Sequence, residues 1–334
     1  MGAVLLVIGD SNADAAARAP RFPQEGDDVP LDDLGWSSGG AGVNVATAFA
    51  RLGGAARLVS RVGVDPAAGA ALSAAERAGV DLSAIQRDPG IATGVCVIVV
   101  SASAERTFLS YRGANVALAP PPGSVWDSVV RVHVCGHALL GGAQRETTLA
   151  MIADAHARGL PVSIDLCLPW IESAGGAVSE LFPSFDVVFT NEAELCRLVS
   201  GERVIRPSAE EVEEAALQAR GQGPYSLVVK RGAAGAAVVT DRVERIASFP
   251  VLAVDSTAAG DAFVAAYLWA AGRGREATAS ARLACAAGAI TAARAGSADA
   301  APTASELLRF LEVRGAAGDL GVSSAELDPS PERP

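Results

Sequence analysis

Short apolar runs alternate with helical stretches along most of this chain, and the alternation limits the possible folds more than any other feature. The run at residues 3–8 is apolar at every position, as expected of a strand that is buried on both faces of a parallel sheet. Further strand-like runs lie at residues 57–62, 129–134, 161–166, 187–190 and 227–230. The alternation predicts an α/β fold with a doubly wound, mostly parallel central sheet flanked by helices.

Two regions depart from this alternation. Residues 18–38 contain three prolines and show no helical period, which favours extended edge structure. Residues 94–100 and 106–111 are typical of a pair of hairpin strands. Together these segments predict a small β-sheet that stands off the main body as a lid.

Composition argues against several classes of function. The 334 residues are 50% hydrophobic, which is enough for a large core, and they carry a net charge of −11 with a pI near 4.8. An acidic protein is not attracted to nucleic acid or to an anionic membrane, so neither is expected as a partner. The five cysteines include no Cys-x-x-Cys pair, and the first residues carry neither a basic leader nor a cleavage pattern. We expect a reduced, cytoplasmic protein.

The clearest chemical feature lies where an apolar run at residues 249–254, which suits a buried strand, passes through a tight turn into a helical stretch. Small residues at the helix start, Ala258, Ala259 and Gly260, leave backbone N–H groups open to a phosphate, which the helix dipole also favours. Asp261 stands beside this anion cradle, where its carboxylate could take a proton from an attacking hydroxyl. The combination suggests phosphoryl transfer, although an ordinary helix cap explains the same residues.

A second glycine-rich helix start, at Gly39 and Gly40, admits two interpretations. A dinucleotide-binding fingerprint fails, because the third glycine position holds Val45 and residues 31–38 do not look like a buried parallel strand. A sugar site fits better, since glycines let the backbone come close to a ligand and Asn44 offers both a donor and an acceptor to hydroxyls. A plain turn or helix cap is the alternative for Asn44.

Polar residues also follow three of the predicted strands. Asn12 and Asp14 come after the first strand, Asn191 and Glu194 follow residues 187–190, and Lys230 ends a later strand. Ligands in open α/β sheets bind at the carboxyl ends of the strands, so each group is a candidate for ligand contact. A solvated turn, a helix cap and an exposed strand end, respectively, are the plainer interpretations.

Two of these motifs together resemble the signatures of the ribokinase-like sugar kinases, also called the PfkB family. Residues 255–261, Asp-Ser-Thr-Ala-Ala-Gly-Asp, are similar to the second signature, and residues 39–46 with Leu52-Gly53 are similar to the first. The resemblance covers about residues 3–312. It implies transfer of the ATP γ-phosphate to a primary hydroxyl of a small sugar with Mg²⁺, beneath a lid whose strands pair with a second subunit in a homodimer.

The resemblance also implies roles for individual residues. Asp261 is expected to be the general base, beside stabilising N–H groups at Ala258, Ala259 and Gly260. The sugar is expected to contact Asn12, Asp14, Gly39, Gly40, Asn44 and Asp255, and the nucleotide Asn191, Lys230, Gly232, Gly235 and Cys285. Glu194 is expected to hold Mg²⁺ through water, as a hard oxygen ligand should. Activation by K⁺ stays open, because one side-chain ligand found in some relatives would fall at Ala300.

Departures from the family pattern leave the acceptor open among ribose, fructose and ketodeoxy sugar acids. Ribokinases usually carry Lys where this chain has Ala41 and an acidic residue near His137, and Cys167 breaks a run typical of fructokinases. A nucleoside is a further alternative, and a phosphorylated sugar would require Arg106 or Arg112 in the lid. A non-catalytic sugar- or nucleotide-binding protein is the alternative from a different class.

We expect a single kinase domain over residues 1–314, with lid segments inserted at about residues 13–38 and 92–113. The Gly, Ser, Pro and Glu content of residues 315–334 predicts a disordered tail.

Overall fold

A computed structural model of the chain describes residues 2–101, 106–202, 204, 207–223 and 226–317. The strands in these residues are β1 (Val4–Ile8), β2 (Asn12–Arg18), β3 (Asp33–Gly39), β4 (Ala55–Gly63), β5 (Ile85–Asp88), β6 (Gly94–Val100), β7 (Arg106–Tyr111), β8 (Val129–Cys135), β9 (Val162–Asp165), β10 (Val187–Asn191), β11 (Ser226–Lys230), β12 (Ala236–Val239) and β13 (Val243–Ile246). The helices are α1 (Ala41–Arg51), α2 (Pro66–Arg77), α3 (Gly142–Ala157), α4 (Leu168–Ala174), α5 (Ala177–Glu180), α6 (Glu192–Ser200), α7 (Ala209–Arg220), α8 (Ala259–Ala271), α9 (Ala277–Ala292) and α10 (Ala304–Val313).

The main body is built on a nine-stranded sheet with the order β13-β12-β11-β10-β9-β8-β1-β4-β5. The seven strands from β11 to β5 in this order run parallel, and only β12 and β13 are antiparallel additions at one edge. This arrangement confirms the predicted doubly wound, mostly parallel sheet.

Both faces of the sheet are buried, as the continuous apolar runs predict. In β1, Leu5 and Val7 pack in one core with α1, α2, α8, α9 and α10, whereas Leu6 and Ile8 pack in a second core with α3, α4, α6 and α7. A strand with apolar side chains on both sides shows no alternation of polar and apolar residues. Its sequence pattern therefore does not indicate which side chains point to which face of the sheet. The helices on the two faces leave the carboxyl ends of the strands open at one edge of the sheet.

The lid is a separate four-stranded sheet with the order β3-β2-β6-β7. The hairpin predicted at residues 94–100 and 106–111 is confirmed, since β6 and β7 have these bounds and pair antiparallel. β2 pairs with β3 antiparallel and with β6 parallel. The lid therefore joins a segment that lies between β1 and α1 to a segment that follows β5.

The strand predicted at residues 249–254 is wrong. The segment is irregular, and Leu252 and Val254 are 87% and 59% exposed although Phe249 is buried. Pro250 has no N–H to donate to a sheet ladder, and no residue of the segment pairs with β13, the edge strand that precedes it. The chain instead crosses the carboxyl edge of the sheet as a loop that leads into α8.

The predicted tail lies outside the described residues from position 318 onward. At its start Ala316 is only 3% exposed, and its N–H donates to Leu311 O, so this part of the segment packs against α10. The division into a kinase domain and a tail stays a prediction. No helix among the described residues is long and apolar enough to cross a membrane.

Candidate active site

A cleft of about 690 Å³ lies at the carboxyl ends of the parallel strands, beneath the lid. The predicted site residues that line it are Asn12, Asp14, Gly40, Asn44, Glu194, Lys230, Asp255, Ala258 and Asp261. Residues from both ends of the chain are brought together because the carboxyl ends of parallel strands meet at one edge of the sheet. Polar groups at that edge converge on one cavity.

Asp261 lies in the first turn of α8 and meets Asn44 from α1. Asn44 Nδ2 donates a hydrogen bond of 2.8 Å to Asp261 Oδ2. Burial raises the pKa of Asp261 to about 6, the negative charge of Asp165 adds to the rise, and the Asn44 donor and the charge of Lys230 oppose it. A carboxylate with this pKa is mostly ionised at neutral pH and is a stronger base than an ordinary aspartate. Asn44 Oδ1 is buried without a hydrogen-bond partner among the described residues, so a ligand donor would satisfy it.

The start of α8 has the form of an anion cradle. Its N-cap residue, Ala258, is left-handed with φ 56° and makes no side-chain cap, so neither Asp255 nor Ser256 caps the helix. The N–H of Ala259 donates to Ser256 O at 3.2 Å and is therefore used within the turn. No backbone hydrogen bond is found in the described residues for the N–H groups of Gly260 and Asp261, which are the open donors of this helix start.

Asp14 forms the opposite wall of the cleft. It extends from β2, and burial together with the charge of Asp261 raises its pKa to about 7. Gly39, which was expected to let the backbone approach a sugar, makes room for Asp14, because a Cβ there would lie 2.1 Å from Asp14 Oδ1. Gly40 has φ 87°, and a Cβ on it would lie 2.4 Å from Asp10 O. Both glycines are required by the local packing.

Two other predicted sugar-binding residues are already partly engaged. Asn12 Oδ1 accepts a 2.9 Å hydrogen bond from Asn115 Nδ2, which fixes the amide. Asp255 Oδ1 accepts from Thr257 N at 2.7 Å, and its Oδ2 accepts from Gly296 N at 3.4 Å. Asp255 thus joins the turn before α8 to the turn after α9, in addition to lining the cleft.

Lys230 is not the exposed strand end that was considered as an alternative. Its side chain is 16% exposed, and Nζ donates to Asp165 Oδ1 and Oδ2 at 2.7 and 2.6 Å. Burial lowers the pKa of Lys230, but the charges of Asp165 and Glu194 outweigh burial and raise it. Asn191 and Glu194 form a capping box at the start of α6, as the plainer interpretation held. Burial raises the pKa of Glu194 to about 7 against the opposing charge of Lys230.

A second cavity, of about 480 Å³ and mainly apolar, lies on the other side of Lys230. The predicted nucleotide residues Gly232, Gly235 and Cys285 line it, together with Phe263 and Gly288. A Cβ on Gly288 would lie 3.2 Å from Ala259 O, so this glycine lets α9 come close to the start of α8. The apolar cavity would accommodate an aromatic base, and it meets the first cleft at Lys230, Ala253 and Ser256.

The root of the lid is held by a buried polar network. Arg112 donates from Nη2 to Asp10 Oδ1 at 3.0 Å and to His137 O at 2.8 Å, and it also contacts Gln144 Oε1. Gln144 Nε2 in turn donates to Asp10 Oδ1 at 2.7 Å. Arg112 is therefore committed to the body and is not the free cation that a phosphorylated acceptor would require. The side chain of Arg106 lies outside the described residues.

Sequence reasoning assigned no role in the site to several residues that line the cleft, among them Asp165, His137 and Phe108. Asp165 ends β9, so the same rule that selected Asn12 and Lys230, polar groups at the carboxyl ends of strands, could have found it. Phe108 is an apolar residue of a lid strand, and no pattern distinguishes it from its neighbours. Asp165 matters most, because it is the direct partner of Lys230.

Comparisons with known proteins agree with this geometry. Residues 3–304 match the family described as pfkB family carbohydrate kinase. The chain is 30% identical over 313 residues to the ATP-dependent ribose-1-phosphate kinase of Halopiger xanaduensis, covering 93% of this chain and 98% of that protein. It is 29% identical to a ribokinase of Haemophilus influenzae, covering 93% and 99%. A solved structure of a fructokinase with bound ATP from Xylella fastidiosa superposes with a TM-score of 0.79 at 26% identity, covering 94% and 100%.

Proposed function

Because this chain belongs to the PfkB family of carbohydrate kinases, phosphotransferases with an alcohol group as acceptor, we propose that it transfers the γ-phosphate of ATP to a primary hydroxyl of a small, uncharged sugar. Asp261 acts as the general base. The first cleft holds the sugar and the second, apolar cavity holds the adenine ring.

The observation that carries this proposal is that Asp261 lines the first cleft while Gly260, the residue before it, lines the second cavity. The carboxylate lines the sugar cleft, and the open N–H groups of Gly260 and Asp261 lie in the same helix turn. A hydroxyl bound between Asp14 and Asp261 would thus face a phosphate bound at the start of α8. The activities named for the relatives, ribokinase, fructokinase with bound ATP and ribose-1-phosphate kinase, are consistent with this chemistry.

The mechanism assigns one task to each part of the site. Asp14, Asn12 and the free Oδ1 of Asn44 orient the acceptor, since holding it in the reactive geometry lowers the barrier by several kcal/mol. Asp261 takes the hydroxyl proton as the oxygen attacks. The N–H groups at the start of α8 stabilise the charge on the transferred oxygens, and Lys230 adds a cation at the same junction.

Mg²⁺ fits the donor set of Glu194. Its carboxylate lines the cleft and is buried next to Asn191, and hard oxygen donors are the ligands that Mg²⁺ prefers. We propose that Glu194 would hold the ion through water, where it would supply positive charge against the nucleotide phosphates. The Asn191–Glu194 capping box fixes the carboxylate at the cleft edge.

A coupled assay of ADP release tests the proposal. Ribose, deoxyribose, fructose, 2-keto-3-deoxygluconate, adenosine and other nucleosides would each be supplied with ATP and Mg²⁺, with Asp261→Asn alongside. We expect turnover on a neutral sugar, and a loss in the variant of at least about 10²-fold in kcat with little change in KM. Turnover that survives in Asp261→Asn would exclude Asp261 as the base. No turnover on any acceptor together with no binding of ATP would favour the binding-protein alternative.

A sugar phosphate is the second candidate acceptor, favoured by the relative named ribose-1-phosphate kinase. Electrostatics oppose it. Lys230 is the one Lys or Arg side chain among the described residues that line the cleft, and Asp165 holds it. Asp14 and Asp261 face the acceptor with negative charge, which repels a phosphate. Adding ribose 1-phosphate and fructose 6-phosphate to the screen decides the matter, since exclusive turnover on either would overturn the uncharged acceptor.

We further propose a homodimer through the lid. Strand alternation places exposed apolar side chains on one lid face, at Leu34, Trp36, Leu109 and Tyr111, each more than half exposed. A patch of this kind usually meets a partner, and two copies of one chain offer self-complementary patches. Analytical ultracentrifugation should give a dimer that Trp36→Asp dissociates. A wild-type monomer at micromolar concentration would exclude the dimer.

A further inference from the structure

Lys230 is surrounded by three carboxylates but bonds to only one of them. Asp165 accepts from its Nζ at 2.6 and 2.7 Å, while Glu194 and Asp261 act on it through charge without a hydrogen bond. The pair spans the end of β10, because Asp165 ends β9 and Lys230 ends β11. Both side chains are mostly buried, at 13% and 16% exposure. The ammonium group is thus held in one defined place.

That place is the junction of the two cavities, which Lys230 lines on both sides. A Cβ built on Gly260 would lie 3.5 Å from Lys230 Nζ, so the ammonium lies against the first turn of α8. A nucleotide with its base in the apolar cavity must pass its phosphates through this junction. Lys230 has three N–H donors, and the two Asp165 oxygens leave at least one of them for a phosphate oxygen.

We propose that Asp165 is a positioning residue for phosphoryl transfer, which holds the Lys230 ammonium at the phosphate junction and keeps it from pairing with Asp261. The inference rests on the proposed function. A lysine freed from Asp165 would find the buried carboxylate of Asp261 nearby, and an ion pair there would occupy the base. Asp165 therefore holds Lys230 close to Asp261 while preventing the two side chains from forming an ion pair.

A purely structural ion pair would have the same distances, so the test needs a readout that packing does not change. Asp165→Asn keeps the shape and an acceptor oxygen but removes the charge. We expect kcat to fall by about tenfold to a hundredfold, with KM for the sugar nearly unchanged, as for a misplaced catalytic group. Asp154→Asn, an exposed change on α3, is the matched control and should leave kcat unchanged.

The acid limb of kcat/KM supplies the second readout. The groups that face Asp261 are Asn44 by hydrogen bond, Asp14, Asp165 and Lys230 by charge, and the neutral thiol of Cys135. Asp165→Asn removes a negative charge that disfavours ionised Asp261, so the limb should move to lower pH. Lys230→Met removes a positive charge, so its limb should move to higher pH.

Combining the two changes guards against loss of folding. Asp165→Asn alone could leave Lys230 as a buried charge without its hydrogen-bonded counter-ion, whereas Asp165→Asn together with Lys230→Met removes both charges of the pair. If Asp165 acts by placing Lys230, the double variant should have nearly the same kcat as Lys230→Met alone. Independent, multiplicative losses in kcat would overturn the inference.

Two further results would overturn it, and they are distinguishable. An active wild type whose Asp165→Asn variant melts earlier, but keeps its kcat and its acid limb, would reduce the pair to a structural role. A wild type without turnover on any acceptor would overturn the proposed function, and this inference with it.

Discussion

Replacing Asn44 with Leu should move the acid limb of the pH–rate profile upward by about one to two pH units. In the protein, Asn44 Nδ2 donates to Asp261 Oδ2 at 2.8 Å and so favours the ionised carboxylate. A hydrogen bond to a charged group contributes about 1.5–3 kcal/mol, and one pKa unit corresponds to about 1.4 kcal/mol. The pKa of Asp261, which burial has already raised to about 6, should therefore rise to about 7–8 in the variant.

The measurement is kcat/KM for the preferred acceptor between about pH 5 and 9, since this ratio reports the free enzyme. The base works only when it is ionised, so activity falls as pH drops through its pKa, and a raised pKa moves that fall to higher pH. The level of kcat/KM should also fall, because Asn44 contacts the acceptor in the proposed mechanism, but the position of the limb is the test.

Thr47→Val is the matched control for this change. Thr47 is buried one turn further along α1, its hydroxyl has no hydrogen-bond partner among the described residues, and Val preserves its shape. The control should keep the wild-type profile. An acid limb that stays at the wild-type position in Asn44→Leu, or that moves equally in both variants, would refute Asp261 as the titrating base.

Two substitutions at small residues test the backbone geometry. Ala258→Gly should stabilise the protein by about 0.5–1 kcal/mol in thermal melts, because a left-handed φ strains Ala but not Gly; Ala259→Gly, in the helix proper, should destabilise it by a similar amount. Equal effects of the two changes would contradict the strain at Ala258. Gly39→Ala should raise the KM for the sugar about tenfold or more, because its Cβ would displace the Asp14 carboxylate. Gly35→Ala in the same strand is the control, since a Cβ there meets no neighbour and the KM should stay the same. An unchanged KM in Gly39→Ala would show that Asp14 does not contact the acceptor.

Local patterns predicted the regular parts of the fold well. Residues 94–100 and 106–111 form the strands that their composition indicates, because alternating and β-branched residues suit a pleated sheet whatever surrounds it. Residues 249–254 have a similar apolar content but lie beyond an edge strand, and Pro250 cannot join a ladder. Whether these residues form a strand depends on pairing with a neighbouring strand, which is a property of the whole sheet and not of the segment.

The residues of the candidate site also include some that could be predicted from local motifs and some whose role depends on the fold. Asp261 and Asn44 could be selected from motifs, and the structure brings them into contact although they are far apart in sequence. The role of Asp165 could not be selected, because its meaning comes from Lys230 two strands away in the sheet. Gly39 was selected for backbone contact with a sugar, and only the folded register shows that its missing side chain also makes space for Asp14.

The network at the root of the lid has a consequence for how substrate enters. Arg112 and Asp10 fasten the chain to the body directly beside Asn12, where the chain passes from β1 of the main sheet into β2 of the lid, while Phe108 lies further out along β7. We expect one side of the cleft, formed by Asn12 and Asp14, to stay rigid when the sugar binds. The opposite side, which carries Phe108, is expected to move. Backbone hydrogen exchange should accordingly be slow around Asn12 and Asp14 in β2 and fast around Phe108 in β7. The enzyme would then recognise the hydroxyl groups of the sugar before the lid closes, and the shape of the sugar only after it has closed.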